Sequence, residues 1–158
     1  MDPPSLQENT LPNIQVLIPK SSFAGTARDT LIQQLTQAAA EAEQMPEDPR
    51  QRFYCWVQIN EVDAFACGGQ EPGEHLLPCV VTAHVPAGVL DGGMRRRYVQ
   101  RLHAAIRAAL PAQETRRLAT SIFVHDVADG SWGANGALWR LPDFCAAAGY
   151  RHLAELQP

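Results

Sequence analysis

Two tandem β-α-β units that share one four-stranded sheet, with both helices on one face, are the fold class this sequence predicts: an α/β chain, or α+β in some schemes. Three observations carry the prediction. A strand-helix-strand order occurs twice, the copies keep a constant offset of 67 residues across strand and helix, and Pro19 and Pro86 close the first strand of each. The offset pairs Ile14 with Val81, Ile18 with Val85, Leu31 with Tyr98, Leu35 with Leu102 and Ala39 with Ile106.

The first strand is the short run Asn13 to Ile18, ended by Pro19 because proline cannot donate a ladder hydrogen bond. Leu31, Ile32, Leu35, Ala38, Ala39 and Ala42 then recur at helical spacing, which predicts an amphipathic helix over 26–44. Aromatic and β-branched residues from Phe53 to Ile59 predict the second strand. The second unit repeats the order with a strand over 79–85, a helix over 92–110 and a strand over 119–127. The reading divides the chain into a tail (1–11), a first unit (12–69), a linker carrying Pro72 and Gly73 (70–77), a second unit (78–144) and a C-terminal segment (145–158). Residues 12–158 are expected to form a single compact domain. Ile122, Phe123, Val124 and Val127 are apolar on both alternating faces, so the side of the sheet away from the helices is expected to need a cover, most simply another subunit.

Composition narrows the function. A net charge of −4 and a pI near 5.7 argue against nucleic acid or an acidic membrane as partner. The basic run Arg95-Arg96-Arg97 lies within a helical pattern and reads as a solvated helix face. Cys55, Cys67, Cys79 and Cys145 have neither Cys-x-x-Cys spacing nor a histidine cluster beside them, so no metal site is expected and buried thiols are the plain reading. The start of the chain lacks a basic stretch followed by an apolar core, and no apolar run approaches about 18 residues, from which a cytoplasmic location is expected.

The local sequence with the most chemical character is His125 to Gly136, a strand running into a Gly-rich loop around Trp132. Such a loop either folds as a hairpin that presents Trp132 over a cavity or turns the chain and packs Trp132 on a neighbour.

The two-unit layout, Pro12-x-Ile14-x-Val16 at the first strand, Pro86-Ala87-Gly88 after the third, and the run Asp126 to Gly136 together resemble the tautomerase superfamily, specifically fused forms similar to 4-oxalocrotonate tautomerase. The resemblance covers about Pro12 to Phe144, and the closing loop is its most specific part. It implies a cofactor-free homotrimer in which an N-terminal proline moves a proton alpha to a carbonyl, arginines hold substrate carboxylates, and an apolar loop residue walls the site. Pro12 falls on the proline and Trp132 on the wall. The arginines have no clear match: Ser22, Val89, Trp56 and Ser121 stand near those places, and Cys79 stands where the second unit would repeat the proline. Arg140 is the best remaining carboxylate anchor, since guanidinium pairs bidentately with carboxylates, and Asn135 joins Trp132 and Arg140 as a candidate substrate contact. Arg28 and Arg95, at the helix starts, are the other cationic candidates.

Eleven residues precede Pro12, and an amide nitrogen has no basic lone pair. A free α-amino group titrates at about 7.7–8.0, near the range where a general base works well. Proline chemistry therefore requires Pro12 to be the mature N-terminus, reached by initiation at the leucine codon of Leu11 or by processing. Otherwise the chain is a non-catalytic oligomer that keeps the fold and binds a small molecule, or another group acts as base, the candidates being His84, His125, Glu61 and Asp126. The expected activity is a tautomerase-like isomerisation of a small 2-keto or enol acid. A dehalogenase or decarboxylase acting on unsaturated acids is a further alternative.

Overall fold

The computed structural model describes residues 12–156. The tail expected over 1–11, with Leu11, lies outside the described residues. Strands β1 (Asn13–Pro19), β2 (Trp56–Val62), β3 (Leu76–Pro86) and β4 (Arg117–Val127) form one sheet in the order β2-β1-β3-β4. Within each unit the strands run parallel, β1 with β2 and β3 with β4, whereas the central pair β1 and β3 is antiparallel. Helices α1 (Thr26–Ala42) and α3 (Gly92–Ala108) cross between the strands and pack together over one face. The two-unit architecture, one four-stranded sheet with both helices on one face, is thus present as the sequence predicts.

The repeat is built into the hydrogen-bond register. Gln15 lies opposite Thr82, its own counterpart at the offset of 67, while Ile14 faces Ala83 and Val16 faces Val81. A pseudo-twofold axis therefore passes through the Gln15/Thr82 pair and exchanges the two units. All five residue pairs matched by the offset lie in the buried core. The second strands obey the same symmetry. Glu61 sits beside Ile18 and Asp126 beside Val85, and each carboxylate ion-pairs with the arginine at its helix start, Arg28 (2.6 Å) and Arg95 respectively.

Three strand starts differ from the sequence reading. The second strand begins at Trp56, not Phe53, because Asp48 caps a short helix α2 (Pro49–Arg52) by accepting the Arg50 N–H at 2.9 Å. Tyr54 and Cys55 then continue the turn by donating to the carbonyls of Gln51 and Arg52, and Phe53 is left 72% exposed. Strand β3 starts at Leu76, inside the stretch expected as linker, since Leu77 and Cys79 are already buried. Strand β4 starts at Arg117, whose N–H is held by the carbonyl of His75.

The sheet face away from the helices is mixed rather than apolar. Leu17, Trp56 and Phe123 stand among Gln15, Gln58, Thr82 and Ser121, because alternation sends Ile122 and Val124 to the helix side and Phe123 to the other. Beyond β4 come a hairpin of β5 (Trp132–Ala134) and β6 (Ala137–Trp139), helix α4 (Leu141–Ala148) and a 3₁₀ segment (Arg151–Leu156). No helix among the described residues is long and apolar enough to cross a membrane.

Candidate functional site

The Gly-rich loop folds as a hairpin for a local reason. Its two turn residues, Asn135 (φ 50°) and Gly136 (φ 84°), both occupy the left-handed region that a tight two-residue hairpin turn requires, and Asn-Gly is the favoured pair there. Trp132 and Trp139 face each other across the hairpin, and both rings pack on Phe144 of α4, at 5.3 and 5.4 Å between centroids. Trp132 also walls a cavity of about 280 Å³ whose other lining residues are Asn13, Gln15, His84, Val127, Ser131 and Gly133. Both alternatives for the loop are thus realised at once: Trp132 packs on a neighbour and borders a cavity.

This cavity lies at the end of the sheet where β1 begins and β3 and β4 finish. Among the described residues its lining is a mixture of polar and apolar side chains with one imidazole, and it includes no arginine, lysine or carboxylate. His84 pairs across the strands with Asn13, and its ring stacks on that of His125 (5.6 Å, 19° between planes), which in turn stacks on Phe123. The Oδ1 of Asn13 is buried without a hydrogen-bond partner, an acceptor left unsatisfied beside the cavity.

The structure brings Pro12 and Trp132 to the same end of the sheet. Pro12 is buried, its carbonyl accepts the Trp56 N–H at 2.9 Å, and the neighbouring Asn13, not Pro12, lines the cavity. Asn135 stands at the hairpin tip. Arg140 caps α4 and approaches Asp129 at 3.5 Å, outside the cavity lining. The carboxylates considered as alternative bases, Glu61 and Asp126, are bound to Arg28 and Arg95. Cys79, in the second unit's proline position, is 1% exposed, and burial pushes its thiol up to about 12. The four cysteines are free, and no group of three or more metal-ligating side chains occurs among the described residues. A larger cleft of about 620 Å³ lies near the opposite end of the sheet, around Ser21, His75 and Arg116. Glu114 occupies the Arg116 guanidinium there through contacts at 2.8 and 2.9 Å, and that pairing holds the Glu114 carboxyl down at about 2.

The hairpin's entry turn is steric as well as conformational. Gly130 has φ 82°, and a Cβ there would meet the Arg140 Nη1 at 2.3 Å. Gly130→Ala is therefore expected to displace Arg140 from Asp129 and to cost about 1–3 kcal/mol through backbone strain. Urea denaturation checks it, and a loss below about 0.5 kcal/mol, the scale of an ordinary surface change, contradicts it.

No protein-family model matches the sequence, and no curated protein does. Solved structures do. A fused 4-OT described as a wild-type asymmetric trimer is 23% identical with a TM-score of 0.64, over 80% of this chain and 95% of that one. A member of the cis-3-chloroacrylic acid dehalogenase family is 17% identical with a TM-score of 0.61, over 80% and 82%. Macrophage migration inhibitory factor of Toxoplasma gondii is 15% identical with a TM-score of 0.59, over 81% and 100%. A duplicated β-α-β chain whose strand ends meet a closing hairpin is the class of protein these features define. Its fold is that of the tautomerase superfamily, in the two-unit form of the fused 4-OT proteins.

Proposed function

We propose that the chain is a tautomerase-like isomerase that moves a proton alpha to the carbonyl of a small 2-keto or enol acid, with Pro12 as base and acid in a chain that begins at Pro12. The observation that carries this reading is the placement of Pro12 at the first residue before β1, one residue from a cavity walled by Trp132. In this reading Trp132 packs on the substrate and excludes water, which strengthens polar contacts to its oxygens. Arg140 and Asn135, on the exit and tip of the same hairpin, are the proposed contacts for a substrate carboxylate. They do not reach the cavity of their own protomer, so the reading includes a homotrimer in which one protomer's hairpin serves its neighbour. The trimers named among the fused 4-OT neighbours support that assembly. The proposed location is cytoplasmic.

A second reading is favoured by specific observations: Pro12 is buried, and the described residues that line the cavity include no arginine or lysine. It is a non-catalytic oligomer that binds a small polar ligand. One comparison separates them. The protein starting at Pro12 and the protein starting at Met1, each verified by intact mass, are assayed for ketonisation of an aryl enol-pyruvate. At least a hundredfold higher kcat/KM for the Pro12 form is expected, a gain within the about 10²–10⁴ attributable to a positioned general base. Equal rates, or none in either, leave the binding reading.

A further inference from the structure

Glu43 lies at the C-terminal end of α1 and is completely buried. Its two carboxyl oxygens are bonded separately: Tyr98 of α3 donates to one at 2.6 Å and Tyr150, just past α4, to the other at 3.2 Å. It makes no ion pair among the described residues. A buried carboxylate held only by two hydroxyls lacks the cation that normally compensates burial. The other ionisable groups around this network are the Cys55 thiol ahead of β2, the Arg52 guanidinium of α2 and, beside Tyr150, the Cys145 thiol of α4 and the His152 imidazole, whose ring lies 6.0 Å from that of Tyr150. Arg52 is itself bound to Gln37 and to the carbonyl of Pro46.

Tyr150 belongs to a segment that straps one side of the molecule. At one end, Phe144 supports Trp132 and Trp139, and the Leu141 N–H is held by Asp129 at 2.8 Å. At the other end, the Arg151 N–H bonds the Gln44 carbonyl at 3.0 Å and His152 bonds the Val89 carbonyl at 2.6 Å. One continuous piece of chain thus joins the wall of the cavity to the buried acid.

We propose that Glu43 is the latch of a pH-gated brace: protonated, it docks Tyr150 and so holds α4, Phe144 and the Trp132 hairpin in place, and ionised, it releases the segment and loosens the hairpin with it. This goes beyond the proposed activity and stands whether or not the cavity turns over a substrate. Burial raises the Glu43 carboxyl from 4.5 to about 8, against the smaller opposing effect of the two tyrosine bonds. The folded state therefore keeps a proton that the unfolded chain loses. Docking is fully favoured below the ordinary carboxyl range and is lost as pH rises through about 8. Burial also raises both tyrosine hydroxyls and the Cys55 and Cys145 thiols, so these do not ionise first.

Amide hydrogen exchange of the full chain at pH 6 and pH 9, expressed as protection factors so that the intrinsic effect of pH cancels, tests it. Protection over 141–156 and over 132–139 is expected to fall together by at least tenfold at pH 9 and to lie well below the protection over 79–85 in β3 at both pH values, because the segment opens without unfolding the sheet. In Glu43→Gln, which keeps the shape but cannot ionise, the fall is expected to vanish. Tyr150→Phe, which retains the ring and loses the hydroxyl, is expected to lower protection of both stretches already at pH 6, and it carries the test should Glu43→Gln not fold. Three results overturn the proposal: unchanged protection at pH 9, an equal fall in Glu43→Gln, or protection of the segment as high as that of β3 at pH 9, which would leave global unfolding as its only opening.

Discussion

In a chain that begins at position 12, Pro12→Ala is expected to lower kcat/KM on an aryl enol-pyruvate by a factor of about 10²–10⁴, the contribution of a well-placed general acid-base group. Alanine keeps a free amine, so the substitution does not merely delete a base. What it removes is the pyrrolidine ring, which locks rotation about the N–Cα bond and so fixes where the nitrogen's lone pair points. Here that nitrogen stands at the head of β1, anchored by the bond from Trp56 to the Pro12 carbonyl, so its direction is set by the strand. An alanine amine in the same place rotates about its N–Cα bond and loses alignment with the substrate carbon. The loss should fall on kcat more than on KM, because the proton moves in the transition state whereas Trp132 still packs on the bound acid. A rate within about threefold of the original, a difference of less than about 1 kcal/mol, would remove proline from the mechanism.

The duplication explains why one such site per chain is the natural expectation. The pseudo-twofold axis gives every feature at the head of β1 a counterpart at the head of β3, and the two ends have diverged. Cys79 replaces Pro12, lies inside a continuous strand that already began at Leu76, and is a buried thiol. The hairpin that follows β4 has no hairpin counterpart after β2, where the chain makes only an isolated bridge between Cys67 and Gln70. What the two ends retain in common is structural: the Arg28–Glu61 and Arg95–Asp126 clamps, each tying a helix start to the end of its parallel strand. These pairs account for two carboxylates that otherwise look available for catalysis.

Much of this was legible in the sequence because burial is periodic. Ile14, Val16 and Ile18 alternate toward the helices, Leu31 and Leu35 share a helix face, and the second unit repeats them in register. The Gly-rich loop was legible only as far as two open alternatives, a hairpin or a plain turn, and the left-handed backbone of Asn135 and Gly136 is what makes it a hairpin. The start of β2 was not. Phe53 and Tyr54 have strand propensity, and the cap at Asp48 overrode it through one backbone bond. Glu43 left only half a trace. It continues the four-residue spacing of Leu35 and Ala39 on the buried stripe of α1, whereas Glu41, two residues earlier and on the opposite side, is exposed in a salt bridge with Arg101; the two tyrosines that receive Glu43 come from α3 and the C-terminal segment, which spacing within α1 does not reveal. The cavity's lining was hidden, because Asn13, His84 and Ser131 come from three places that the register of the sheet and the hairpin bring together.

Phe144→Ala is expected to produce the largest loss of stability among substitutions near the cavity, about 3–5 kcal/mol, the range for emptying a buried aromatic site. Phe144 is 3% exposed and is the one ring in contact with both Trp132 and Trp139, so its removal leaves a hole bounded by two large side chains that belong to a short hairpin. Two-stranded hairpins are marginal by themselves and depend on packing for their stability. The consequence is therefore directional. Helix α4 should retain its own caps, the Asp143 carboxylate on the Arg140 N–H at 2.8 Å and Gly149 in the left-handed conformation, while the hairpin loses its support. Urea denaturation is expected to show a lower midpoint with an unchanged slope, and hydrogen exchange should show the fastest amides over 132–139. Phe144→Leu, which refills most of the volume, should cost no more than about 1.5 kcal/mol and keep the hairpin protected. If Phe144→Ala costs under about 1 kcal/mol, far below the aromatic range, the two tryptophans stand without α4, and the segment from Leu141 onward cannot transmit the state of Glu43 to the cavity.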